Sequence, residues 1–226
     1  MRLGIVACEA FKAELDLLTE GDGDIVHKEY LEFHLHERPQ ELRSTIVDKV
    51  NGLKEKVDSV FLGYGICQSL KGVLDELVLP AATLDEDDCV GVFLTTEGYA
   101  AERKKCTGTF YAIPYFSQHL GMDWFKRELE KKMPNHEELG VDFRWYMEQL
   151  FSGYSRCLLI DTGAGDPVMC EERSREFSDY LGLRLERTNG TLERLRDGLL
   201  RSKALARTRT AGRTIHPRVL EIDGSP

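Results

Sequence analysis

Six cysteines punctuate the 226-residue chain, at positions 8, 67, 89, 106, 157 and 170. Cys8, Cys67 and Cys89 have the surroundings that invite chemistry. Thiolates are soft, strong donors, so three of them with a histidine suit Zn²⁺ or, with one position open, an iron–sulfur cluster. No CxxC pair occurs, so such ligands must converge from separate elements. His36, in LEFHLHERPQ, is the candidate fourth ligand; in a metal-free alternative it is the general base for a Cys67 nucleophile. The plainer readings are a histidine that orients a helix beginning at Pro39, and thiols that serve only as small buried hydrophobes. His34 would share a strand face with His36 and could substitute for it. Asp88, beside Cys89 in LDEDDC, could support a histidine ligand or bind a hard cation. Asp85, Glu86 and Asp87 read as a solvated acidic loop.

Two further groups stand near predicted turns. Tyr64, inside GYGIC, could aim its hydroxyl into the cysteine site. IDTGAGDP resembles a glycine-rich phosphate turn, in which Asp161, Gly163 and Gly165 would shape an anion or cofactor pocket at a helix N-terminus. It is not GxGxxG and has no P-loop lysine, and a tight turn is the commoner explanation. Cys106, Cys157 and Cys170 have less claim: Cys157 opens an apolar strand and Cys170 falls within a helical pattern.

The elements that must hold these groups follow from periodicity. Leu3 to Ala7 reads as a strand ending at Cys8-Glu9, followed by a helix with Phe11, Leu15 and Leu18 on one face. Ser59 to Leu62 is a second apolar run, broken by Gly63-Tyr64-Gly65, with a helical pattern from Leu70 to Leu77 and Ser69 as its N-cap. A cysteine at such a turn lies near backbone N–H groups that favour a thiolate. IVHKEY is a weak strand, and PQELRSTIVDKVNGLKEKV an amphipathic helix with Leu42, Ile46, Val50 and Leu53 inward. A strand is expected at 77–79, a surface segment at 97–106, an aromatic strand in GTFYAIPYF, and helix over 123–150 interrupted near Pro134. RCLLID at 156–161 is a strand, then a turn, a helix, the strand LRLERT and the helix LERLRDGLL. Alternating strands and helices predict an α/β, three-layer sandwich with a mostly parallel sheet and Rossmann-like strand–turn–helix units. Ligands in such sheets bind beyond the carboxyl ends of the strands, so Cys8, Cys67 and Asp161 are expected on one rim, with Cys89 joining from the acidic loop. Residues 1–200 form a single domain or two similar halves, 1–120 and 151–200, joined by helices over 121–150. Residues 201–226 read as a basic, partly disordered tail.

Composition narrows the class. With 30 basic and 39 acidic side chains the net charge is -9, which argues against nucleic-acid binding. No apolar run approaches the roughly 20 residues that cross a bilayer. MRLGIVACEAF reads directly into a strand and not into a signal peptide, so free cytoplasmic thiols are expected.

LGIVACEAF, FHLHERPQELR, FLGYGICQSL, DEDDCVGVFL and GTFYAIP together resemble the family of domain of unknown function 1638, found in archaea and anaerobic bacteria, over roughly residues 3 to 200. The resemblance maps family cysteines onto Cys8, Cys67 and Cys89, a histidine onto His36 and an aspartate onto Asp88. Glu9 stands where glycine is usual, Glu37 where asparagine is usual and Asp87 where histidine is usual. It implies association with corrinoid-dependent methyl transfer, and so a corrinoid or methyltransferase protein as partner. The resulting expectation is a metal-binding protein, iron–sulfur or zinc, acting as enzyme or accessory in anaerobic one-carbon or sulfur metabolism. The alternatives are a metal-free thiol transferase or hydrolase and a non-catalytic partner of a corrinoid protein.

Overall fold

The structure, a computed structural model, describes residues 1–65, 70–119 and 121–214, with backbone alone from 210. Strands β1 (Leu3–Cys8), β2 (Ile25–Leu31), β3 (Ser59–Gly63) and β4 (Ala81–Ala82) form one parallel sheet in the order β2-β1-β3-β4. A second parallel sheet orders β5 (Thr109–Ala112), β6 (Arg156–Asp161) and β7 (Arg184–Asn189) as β5-β6-β7. Helices intervene: α1 (Lys12–Leu18), α2 (Pro39–Asn51), α3 (Cys89–Lys105), α4 (Pro114–His119), α5 (Met122–Lys132), α6 (Phe143–Leu150), α7 (Pro167–Leu181) and α8 (Glu193–Thr214). The α/β sandwich with parallel strands is as expected, but the strands divide between two sheets. β5 belongs with β6, so the division falls between β4 and β5 and not near residue 120.

Strand alternation sorts the cores. Leu3, Ile5 and Ala7 of β1 face one side, with Phe61, Leu195 and Leu199. Val6 faces the other, where Leu42, Ile46, Val50 and Leu53 of the α2 region cover it, each apolar side chain contributing about 1.5–3 kcal/mol. In β6, Cys157 and Leu159 pack under α5, α6 and α7, whereas Ile160 joins the first sheet's core. That shared core, reached also by Ile113 after β5, locks the two sheets together.

Four local expectations change, the first being the helix from Leu70 to Leu77, of which only a 3-10 turn at Val73–Glu76 forms. The 77–79 segment is not a strand; its sheet contact comes at Ala81–Ala82. Residues 97–105 are the second half of α3, interrupted at Thr95, whose φ of 63° is strained for a β-branched residue. The break frees the Phe93 carbonyl, which accepts the Thr191 N–H at 2.8 Å. The segment from 201 to 214 is the end of α8 and not a loose tail; residues 215–226 lie outside the described region. Its basic run is spent on the first sheet's loops: Arg201 on Asp85 (2.9 Å), Lys203 on Asp22 (2.5 Å) and Arg209 on the Asp58 carbonyl (3.3 Å). Ser202, fully buried, accepts the Ser59 hydroxyl on its carbonyl at 2.7 Å. Among the described residues no helix is long and apolar enough to cross a membrane.

Candidate functional site

Residues that follow the strands of one sheet meet those that follow the strands of the other. Glu9, next after β1, accepts the Phe33 N–H at 2.7 Å and the hydroxyl of Tyr115 from α4. Glu14 of α1 accepts the hydroxyl of Thr162, the residue after β6, at 2.9 Å. Around the first of these ties lie Cys8, the last residue of β1, and Cys89, the first of α3, both half-buried against the same core.

Two glycines draw this rim together. A Cβ at Gly63 would stand 2.5 Å from that of Ala7, so β3 approaches β1 at a distance only glycine permits. Gly65, two residues before Cys67, packs its backbone against the Glu86 carbonyl and the Asp87–Asp88 peptide, one residue before Cys89. Cys67 itself lies outside the described residues.

Burial pushes the Cys8 thiol up to about 12, opposed by the Ala10 N–H and reinforced by Glu9. Burial likewise pushes Cys89 up to about 12, with the charges of Asp88 and Cys8 adding to it. Both therefore carry protons near neutrality. Tyr64, buried, has its phenol raised by burial and by Cys8 and Glu9, and among the described residues its hydroxyl has no hydrogen-bond partner. The Tyr115 phenol is raised by burial, then by Glu9, Cys8 and Glu32. Among the described residues the leading charges acting on Cys8, Cys89, Tyr64 and Tyr115 are those of carboxylates and of Cys8.

The other predicted residues fall elsewhere or into supporting roles. His36 is exposed, its Nδ1 2.5 Å from the Phe33 carbonyl, and His34 stacks on Trp124. Among the described residues no three His, Cys, Asp or Glu side chains gather as a metal site would need. Asp88 caps α3, accepting the Gly91 N–H at 2.8 Å, and holds the Tyr99 phenol. The acidic loop is only partly solvated: Glu86 is buried and paired with Arg194 at 2.7 Å. Asp161 belongs to the second sheet, turned to Arg187 and the Gly163 N–H. Gly163 and Gly165 take φ of 74° and 76°, the turn that lets Asp166 cap α7. The five described cysteines are free thiols; Cys157 and Cys170 are buried, and Cys106 contacts Ser155 at 3.3 Å.

Glu14 escaped the sequence reading, Glu9 entered it only as a departure from the family pattern, and Tyr115 reads in the sequence as packing. Glu14 did leave a trace: it lies between Phe11, Leu15 and Leu18 on the apolar face of α1, where a carboxyl has to be buried. These features define a two-sheet α/β protein with a thiol- and carboxylate-lined junction at its strand ends. The chain belongs to the family described as "Protein of unknown function (DUF1638)", whose model matches residues 30–199. Cys67, Cys89 and His36 fall inside that match; Cys8 and Glu9 precede it. Neither the curated proteins nor the solved structures yield a match.

Proposed function

We propose that this junction is a soft-metal site, for zinc or an iron–sulfur cluster, built on Cys8, Cys67 and Cys89 with one coordination position left for a ligand. The observation that carries the reading is the shared setting of Cys8 and Cys89. Cys8, 81 residues away in sequence, adds to the rise of the Cys89 thiol alongside Asp88, and Glu9 adds to that of Cys8. Such a setting opposes a third negative charge and favours a bound cation, and thiols select a soft one. A bound cation displaces the two thiol protons and so reverses the direction in which burial drives these groups. His36 is tied to the Phe33 carbonyl, which leaves the fourth position to an exogenous ligand.

A role in anaerobic one-carbon, corrinoid or sulfur metabolism, with a corrinoid or methyltransferase protein as partner, rests on the family resemblance. Metal-free thiol catalysis by Cys8 or Cys89 has less support, because burial holds both in the unreactive neutral form; catalysis by Cys67 is the alternative reading.

The test is metal and sulfide analysis of anaerobically purified protein, wild type beside Cys8→Ser, Cys67→Ser and Cys89→Ser. Stoichiometric zinc, or iron with matching sulfide, should be present in wild type and fall sharply in each variant. Metal contents untouched by all three substitutions, or a wild type that takes up neither zinc nor a reconstituted cluster, would refute the reading.

A further inference from the structure

The second tie across the junction has its own chemistry. Glu14 is only 1% exposed, and its partner Thr162 is buried too. Their 2.9 Å hydrogen bond closes 148 residues of chain and fastens α1, which follows Cys8 by one short turn, to the turn after β6. Only the backbone N–H of Glu14 and the Thr162 hydroxyl act to favour a negative charge on its carboxyl, and burial outweighs them. Cys170 of α7 feels Asp166, Asp161 and Glu14 together. Asp166 is spent on capping α7, and Asp161 on Arg187 of β7. Gln118 of α4, which reaches Cys170, is uncharged. On α1 itself Lys12 pairs with Asp16 at the exposed surface. Among the described residues no cation is paired with Glu14.

We propose that the junction between the two sheets is a proton-controlled latch, fastened while Glu14 is protonated and loosened when it ionises, so that access to the Cys8 rim rises through neutral pH. This does not depend on whether a metal binds there. Burial pushes the Glu14 carboxyl up to about 7, against the lowering effect of its own backbone N–H and of the Thr162 hydroxyl. A folded-state value above the unfolded one means that the contribution is complete below about pH 4.5 and is lost as pH rises through about 7. If the open junction hydrates the carboxyl fully, the opening equilibrium rises by at most about 300-fold over that range.

Hydrogen exchange of the amides in 9–18 and 161–167 between pH 5 and 8.5, corrected for intrinsic rates, reads the latch directly. Wild-type protection should fall from pH 5 upward and level off near pH 7, and that break is the step. Glu14→Gln keeps the shape and an acceptor for Thr162, and should show no step. Thr162→Val removes a bond that stabilises the carboxylate, so its step should move to higher pH. Wild-type protection as flat as that of Glu14→Gln would overturn the latch, as would a Thr162→Val step left in place. Should Glu14→Gln not fold, the wild-type profile against Thr162→Val decides alone.

Discussion

Metal binding at the cysteine rim should be steeply dependent on pH, and the structure fixes how steeply. Cys8 and Cys89 are held near 12, so each must lose a whole proton to become a ligand at any ordinary pH. Each displaced proton multiplies the apparent affinity about tenfold per pH unit, and two give a slope of about two in log K. From pH 6.5 to 8.5 zinc affinity should then rise about 10⁴-fold, and more if Cys67 also loses a proton on binding. The direction is fixed: protons compete with the metal, so affinity climbs with pH. Because burial keeps both values near 12, the slope should persist beyond pH 9, where thiols of ordinary pKa would already flatten it. The assay is competition against a chelator of known proton linkage, whose own protonation is subtracted at each pH. Cys8→Ser should lower the slope by about one and leave the remainder straight. A wild-type slope of one or less would show that the two sulfurs do not act together, and would refute the reasoning from burial to metal site.

Two further substitutions probe the frame. Gly63→Ala places a methyl 2.5 Å from the Ala7 Cβ and 3.3 Å from its Cα, neither of which can swing aside. Urea unfolding should show a loss of about 1–3 kcal/mol, with weaker metal uptake because Cys8 follows Ala7. Arg156→Met strips the guanidinium, buried to 1% exposure, from Glu102 at 2.8 Å and Glu186 at 3.1 Å. The expected loss is about 1–3 kcal/mol, because Glu102 keeps Lys105 and Glu186 keeps Arg184 as partners, each at 2.5 Å. A loss below 1 kcal/mol in the same titration would mean that the pair is not holding α3 to β6.

What could be read along the chain was whatever depends on near neighbours. Leu42, Ile46, Val50 and Leu53 repeat at helical spacing, and all four are buried as that spacing requires. RCLLID coincides with β6 because a short apolar run between turn residues has few other solutions. What could not be read depends on partners far away in sequence. Residues 201–214 lack apolar periodicity, yet they are helix: Ser202 seats on β3, and Arg201, Lys203 and Arg209 find acceptors in loops more than 100 residues earlier. Glu86 looked solvated because Arg194, which pairs with it, is 108 residues on. The convergence of strand ends was legible as a rule about parallel sheets, but which ends converge was not.

That distinction bears on the site itself. Cys8 and Cys89 could be picked out because a thiol at a strand end or helix start is conspicuous in one dimension. Glu9 and Tyr115 could not, since each acquires its role only when the second sheet brings α4 against the turn after β1. The same closure that hides Cys8 and raises its thiol also buries Glu14 and raises its carboxyl, so both titrations depend on the two sheets staying together. A protein with its sheets apart would hydrate both groups and return them toward their ordinary values. Measuring the Cys8 thiol by pH-dependent alkylation in Glu14→Gln therefore separates the two effects. If closure is what raises the thiol, holding the junction shut above pH 7 keeps Cys8 near 12 and slows its alkylation relative to wild type; equal rates at every pH would show that the strand-end environment alone sets the thiol, without help from the second sheet.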